Sequence, residues 1–283
     1  MNFLNSKIGF FFYLIFQNRF IQILSSKEEL SKVKKINYNH NNFRNDYNFD
    51  DYQAGKNWNS FKTKDDYRGY LKYFPSFNNK VKVLEIGPGS GYYSKYICEN
   101  INVEHYSFYE INFNFKKRIL NELKLLKKNS FFKFKAINKN FLDLSVKNKY
   151  DFIFFISSFH HIPDRKAYFE KCFNSLNKGG KIYFFEPTHY IFRILSIIRK
   201  FFRIYKYYSK KDILEHCGTH AFLTISEYKY ISKKYINNYI LENYWIVRSK
   251  KINCILKYVK ISFFKYFIKK YFSSEMITVF QKN

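Results

Sequence analysis

Glu85, followed at alternate positions by Gly87, Gly89 and Gly91, is the stretch of this chain with the clearest chemical meaning. Glycines so spaced let the main chain turn through open backbone angles and let a ligand approach it without meeting a Cβ. The spacing E-x-G-x-G-x-G separates two classes of ligand. A dinucleotide turn is spaced G-x-G-x-x-G, which asks for glycine at position 92, and it leaves a helix N-terminus bare for a pyrophosphate. Position 92 is Tyr. An acid two residues before the first glycine repels a pyrophosphate and suits a cation, so Glu85 is expected at the mouth of the turn, facing the ligand.

Such a turn needs a parallel strand before it and a helix after it. Residues 81–86 read as the strand and 92–99 as the helix. Further apolar runs at 103–109, 131–137, 150–156 and 181–185 read as four more strands, the last preceded by a Leu176-Asn177-Lys178-Gly179-Gly180 turn. Toward the C-terminus a helix is expected at 226–235, a strand at 239–247 and a last strand at 275–281. A cationic cofactor without phosphate fits the acid-flanked turn, and S-adenosyl-L-methionine, with its ammonium and sulfonium, is one.

From about residue 80 to 187 the chain resembles the class I S-adenosylmethionine-dependent methyltransferases of small-molecule type, with its motifs in that family's order. The resemblance implies an α/β fold: a Rossmann-like seven-stranded sheet of six parallel strands plus an antiparallel strand seven. It also implies that Glu85, Gly87, Gly89, Gly91, Glu110, Asn140 and Phe141 bind the cofactor. Glu110, nineteen residues past Gly91, stands where the family holds both ribose hydroxyls. A carboxylate suits that task because it only accepts, and a vicinal diol offers two donors. Asn140-Phe141-Leu142-Asp143 stands near the adenine position, with Asn140 in place of the usual acid. Ser157-Ser158-Phe159-His160-His161-Ile162-Pro163-Asp164 matches the family's His-His-x-x-Asp segment after strand four, and Glu186-Pro187 follows strand five.

Methyl transfer from a sulfonium is an in-line displacement, so the protein mainly aligns the reactants and removes a proton where the acceptor is a hydroxyl. Histidine titrates near neutrality. His160 and His161, just beyond strand four, are the candidate bases, with His189 and His220 behind them. A nucleic-acid methyltransferase is the alternative within enzymes. Ser157-Ser158-Phe159-His160 stands where amino-group modifiers of nucleic acid carry Asn-Pro-Pro-Tyr or Asp-Pro-Pro-Tyr, and no Cys nucleophile stands there. A non-catalytic cofactor-binding or membrane-surface interaction protein is the alternative from another class, and the intact glycines and acids disfavour it.

The chain has 283 residues and a formal charge of +28, a balance that by itself suggests nucleic acid or an anionic membrane. Only nine of the 50 basic residues are Arg, however, and the surplus Lys comes with Asn, Ile, Phe and Tyr, all residues with AT-rich codons. Genomic base bias is therefore a sufficient source for much of the charge, and nucleic acid is not the expected partner. Cys98, Cys172, Cys217 and Cys254 form no C-x-x-C pair, so reduced thiols, a cytoplasmic setting and no metal are expected.

The organisation expected is an N-terminal helical extension and cofactor cover at 1–79, then the methyltransferase domain at 80–283 with lid insertions at 189–225 and 248–273. The apolar run at residues 8–16 is too short to span a bilayer and lacks the flanks of a signal peptide, so an interfacial or packed helix is expected there. Trp58 and Tyr67 are candidate lid aromatics. Ligands of an open parallel sheet sit outside the carboxyl ends of its strands, so both insertions emerge on the ligand side. Each is amphipathic and basic. In the first, Ile194, Ile198 and Phe201 lie opposite Arg193, Arg199 and Lys200; in the second, Ile252, Leu256, Val259, Phe263 and Phe267 form one stripe away from Lys257, Lys260 and Lys265. A lid over a hydrophobic or amphiphilic small-molecule acceptor and contact with an anionic membrane surface are the two compatible readings.

Overall fold

The computed structural model describes residues 70–76, 78–89, 91–111, 113–127, 132–137, 141–143, 149–162, 165–187, 225–247, 250–273 and 275–283. The expectations for residues 1–69 of the N-terminal extension, with Trp58 and Tyr67, and those for Asn140, His189, His220 and the insertion up to 224 lie outside these residues.

Among the described residues, seven strands form one sheet: β1 (Val81–Ile86), β2 (Val103–Tyr109), β3 (Lys133–Ala136), β4 (Tyr150–Ile156), β5 (Leu176–Pro187), β6 (Tyr239–Ile246) and β7 (Glu275–Lys282). Their order is β3-β2-β1-β4-β5-β7-β6. β1 to β5 pair in parallel, and β7 runs antiparallel to both β5 and β6, which makes β6 parallel to the first five. The expected six parallel strands and antiparallel seventh are thus observed.

The period of two in the strands sorts their side chains into two cores. Val81, Val83, Phe154 and Phe185 face one side, where α1 (Tyr92–Asn100) and α2 (Phe113–Lys127) cover them with Tyr93, Ile97, Ile119 and Leu123. Leu84, Ile153, Phe155 and Phe184 face the other, under α3 (Arg165–Asn174) and α4 (Ile225–Ile231), which contribute Phe169, Phe173, Tyr228 and Ile231. The edge strand β3 places Lys133 and Lys135 in solvent, which discourages edge-to-edge pairing.

Four expected boundaries shift by more than one residue. β3 is shorter than 131–137, leaving Phe132 and Ile137 as buried flanks of the strand. β5 starts at Leu176, so the Gly-Gly pair lies inside the strand as a bulge: Tyr150 pairs with Leu176, and Phe152 already pairs with Lys181. The bulge requires its glycines. Gly179 has φ +76°, and a Cβ on Gly180 would lie 3.0–3.1 Å from the carbonyl oxygens of Asn177, Asp151 and Tyr150. The helix expected at 226–235 stops at Ile231, because the Ser232 hydroxyl bonds back to the Tyr228 carbonyl at 2.9 Å; a 3-10 turn, Lys233–Tyr235, follows. The stripe read through 252–267 belongs to two helices, α5 (Lys250–Tyr258) and α6 (Ser262–Phe272), with extended backbone at Ile261 between them. The β-branched Val259 and Ile261 are weak helix formers at the break.

Candidate functional site

The carboxyl ends of β1, β2, β4 and β5 and the start of β7 share one edge of the sheet, and the sequence-predicted residues that are described gather there. After β1 the chain turns through Gly87, Gly89 and Gly91, all at positive φ, and Gly91 in the left-handed region caps α1. Gly87 is doubly constrained. Its φ is +68°, and a Cβ would meet the Ser158 Cβ at 2.7 Å. The turn after β1 is therefore packed directly on the turn after β4. Gly89 has φ +57° with nothing within 4 Å of an added Cβ, so its face of the turn is open to a ligand.

Glu110, at the end of β2, is buried and accepts a hydrogen bond from the Gly89 N–H at 2.9 Å. The candidate ribose acid is thus fixed beside the glycine turn. Glu85 differs from expectation. It is 1% exposed, and one carboxylate oxygen accepts from the Ser94 hydroxyl at 2.8 Å and from the Tyr106 hydroxyl. The alternation of β1 puts Glu85 on the face of Val81 and Val83, so it lies beneath the turn, against α1, rather than at its mouth. Burial raises its carboxyl from 4.5 to about 7; the bonds from Tyr106 and Ser94 act downward, and Glu110 adds to the rise. Tyr106 is pushed well above its ordinary value by burial first and by Glu85 next.

Beyond β4, Ser157 has φ +52°, a strained value for a residue with a Cβ, and its N–H bonds to the Phe185 carbonyl at 2.8 Å. The Ser158 hydroxyl donates to the Ile86 carbonyl at 2.6 Å, which joins this turn to the end of β1. Glu186, fully buried at the end of β5, organises the rest. One of its oxygens accepts the N–H groups of Ser158 at 3.0 Å and Phe159 at 2.8 Å, while the other meets His160 Nδ1. Arg165 Nη2 donates to the His160 carbonyl at 2.9 Å. His160 is thereby fixed in a buried Glu–His pair, and His161 follows it in the same 3-10 turn, Phe159–His161.

Phe141 is in a 3-10 turn, Phe141–Asp143, after β3, with its ring buried against Tyr109 and Tyr168. The ring is a core side chain. Two participants were not anticipated. Glu186 had no assigned partner, and Glu275 at the start of β7 accepts from the hydroxyl of buried Tyr70, 205 positions away in sequence. An acid directly bordering a buried apolar run was the only sequence signal for either.

Glu85, Glu110, Glu186 and Glu275 are the buried carboxyl side chains among the described residues, and all four stand at this one edge. In a chain with 50 basic residues, that concentration of acids sets the edge apart from the rest. With open Gly89 and the carboxylate of Glu110, it fits a ligand that carries positive charge and a diol, and it does not fit a pyrophosphate. No group of three or more His, Cys, Asp or Glu side chains among the described residues is arranged to hold a metal ion.

The strand order and this edge define a Rossmann-like methyltransferase fold. Residues 84–182 match the family described as "Methyltransferase domain". Among solved structures, the plantazolicin methyltransferase BpumL in complex with SAH is similar to the chain at 14% identity and a TM-score of 0.51, over 91% of this chain and 98% of that one. BpumL with a monoazolic desmethylPZN analog and SAH gives 15% identity, the same TM-score and the same coverage. The MccD protein is similar at 15% identity and a TM-score of 0.47, over 73% of this chain and 92% of that one. Comparison of the sequence with curated proteins found no significant match. The matched domain, the sheet order and the glycine turn thus agree: the chain has the Rossmann-like methyltransferase fold, with a methyltransferase domain matched over residues 84–182.

Proposed function

We propose that the chain transfers a methyl group from S-adenosyl-L-methionine to a small, hydrophobic or amphiphilic acceptor. The observation that carries the cofactor half is the acid-lined carboxyl edge around the open glycine turn, with Glu110 bonded to Gly89. When bound, the cofactor supplies an electrophilic methyl on a sulfonium that departs as a neutral thioether. Gly87, Gly89 and Gly91 let it approach the main chain, and Glu110 accepts from its ribose hydroxyls. Glu85, beneath the turn, braces it through its bonds from Ser94 and Tyr106 rather than by a direct contact. Phe141 contributes packing, and Asn140 is the adenine-side residue assigned from sequence.

The acceptor half rests on the helical insertion at 250–272, rich in aromatic side chains, which emerges at the same edge between β6 and β7. BpumL, which shares the fold, holds an azole-containing ligand together with SAH, in keeping with an acceptor of this class. An amphiphile held in a bilayer surface belongs to the same class. Where the acceptor is a hydroxyl, His160 takes its proton, positioned through Nδ1 by Glu186, and His161 is the second candidate.

Calorimetric titration with S-adenosylmethionine and SAH tests the cofactor half: binding is expected, and no heat would sink it. Glu110→Ala should weaken binding by about 1–3 kcal/mol through the lost charge-assisted bonds; unchanged affinity would remove Glu110 from the site. For the acceptor, radiolabelled methyl groups should move into the organic phase of a fractionated cell extract, and label confined to precipitated protein or nucleic acid would refute a small molecule. With a hydroxyl acceptor so identified, His160→Gln should lower kcat by roughly a hundredfold or more. Loss in His161→Gln alone would move the role to His161.

A further inference from the structure

We infer that the hairpin of α5 and α6 is a docking surface for an anionic lipid bilayer. Residues 250–272 contain seven Lys and no Asp or Glu. The base of the hairpin is fixed to the sheet: Leu256 is buried, Asn253 Nδ2 donates to the Val247 carbonyl at 2.7 Å, and the Tyr266 ring meets Trp245 edge-on at 5.1 Å. Its tip is not buried. Tyr258 is 79% exposed, Ile261 60%, Phe263 67% and Phe264 54%, with exposed Lys257, Lys260 and Lys265 among them. Large apolar side chains in solvent are normal singly, but a contiguous group of them marks a contact site.

The chemistry of the group selects the partner. A protein interface is depleted in Lys at its core, whereas here lysines alternate with the apolar tip. A second copy of the chain would bring one acid-free, seven-lysine surface against another, within a molecule of net charge +28. A bilayer boundary suits both components: aromatic rings settle at the headgroup level, and lysines reach the phosphates and serines of an anionic leaflet. The two helices have nine and eleven residues, and no helix among the described residues is long and apolar enough to cross a membrane, so the contact is peripheral. Because α5 and α6 join the end of β6 to the start of β7, docking would turn the carboxyl edge toward the lipid. The inference does not depend on the methyl-transfer reading.

The test is flotation of the full chain with vesicles of phosphatidylcholine, with and without phosphatidylserine. Flotation is expected with phosphatidylserine at low salt, weakened by high salt, and absent with phosphatidylcholine alone. The variant Phe263→Ser, Phe264→Ser, Phe267→Ser should lose at least about tenfold of the bound fraction through lost apolar burial. Lys257→Glu, Lys260→Glu, Lys265→Glu should abolish the preference for the anionic vesicles. These side chains are exposed, so thermal melting of both variants should match the parent, which separates lost docking from lost fold without calling on cofactor binding. No flotation at low salt overturns the inference, as does flotation that survives the serine substitutions. Self-association that the same substitutions abolish, without flotation, would assign the face to a second copy and overturn it equally.

Discussion

Glu85 is a carboxyl group whose folded environment favours its proton. Its value rises from 4.5 to about 7 chiefly through burial, so between those two pH values the native state holds a proton that the unfolded chain has released. Stability must then fall as pH rises through that window, and it is flat with respect to this group below 4.5 and above about 7. The shift corresponds to roughly 3 kcal/mol at most. Glu85→Gln keeps the shape and removes the titration. Urea midpoints of parent and variant, measured across the window, should converge at the acid end and separate toward neutrality, with the variant the more stable. Parallel midpoints would show that another group carries the pH dependence. The direction of Glu85 was in fact readable. Val81, Val83 and Glu85 share one parity in a strand, and that face is the one covered by α1. What was not readable was the pairing: Tyr106 and Ser94 for Glu85, or Glu186 for His160, needs the sheet to bring residues 9 to 26 positions apart together.

At the scale of elements, the two turns after β1 and β4 act as one unit, with the Ser158 hydroxyl on the Ile86 carbonyl and its Cβ against Gly87. Gly87→Ala must both distort a positive φ and displace Ser158, and it should cost about 2–4 kcal/mol of stability. Gly89→Ala meets open space and carries only the smaller conformational cost, about 1 kcal/mol, yet it should impair cofactor binding more than folding. Thermal melts and cofactor titrations of the pair should show this crossing of effects, and equal destabilisation by the two would contradict the packing described. Strands β1, β2 and β4 were legible to the residue because each is a short, nearly unbroken apolar or aromatic run. The start of β5 was not, since Asn177, Lys178 and two glycines have turn chemistry and a bulge uses the same residues as a turn. The break between α5 and α6 has no Gly or Pro to announce it.

For the molecule as a whole, composition was the poorest guide and order of motifs the best. The surplus of Lys said little about the site, which among the described residues is where the buried acids gather. The order of glycine turn, Glu110, the His160 segment and Glu186 anticipated a sheet whose strand order is observed. That order has a temporal side. β7 comes last of the seven strands in sequence but lies between β5 and β6, and β6 has no other neighbour in the sheet among the described residues. While the ribosome is still making residues 275–282, β5 therefore presents a bare edge and β6 has nothing to pair with, although both are already synthesised. The seventh strand acts as a late keystone: it covers the edge of β5 and supplies the partner of β6 together.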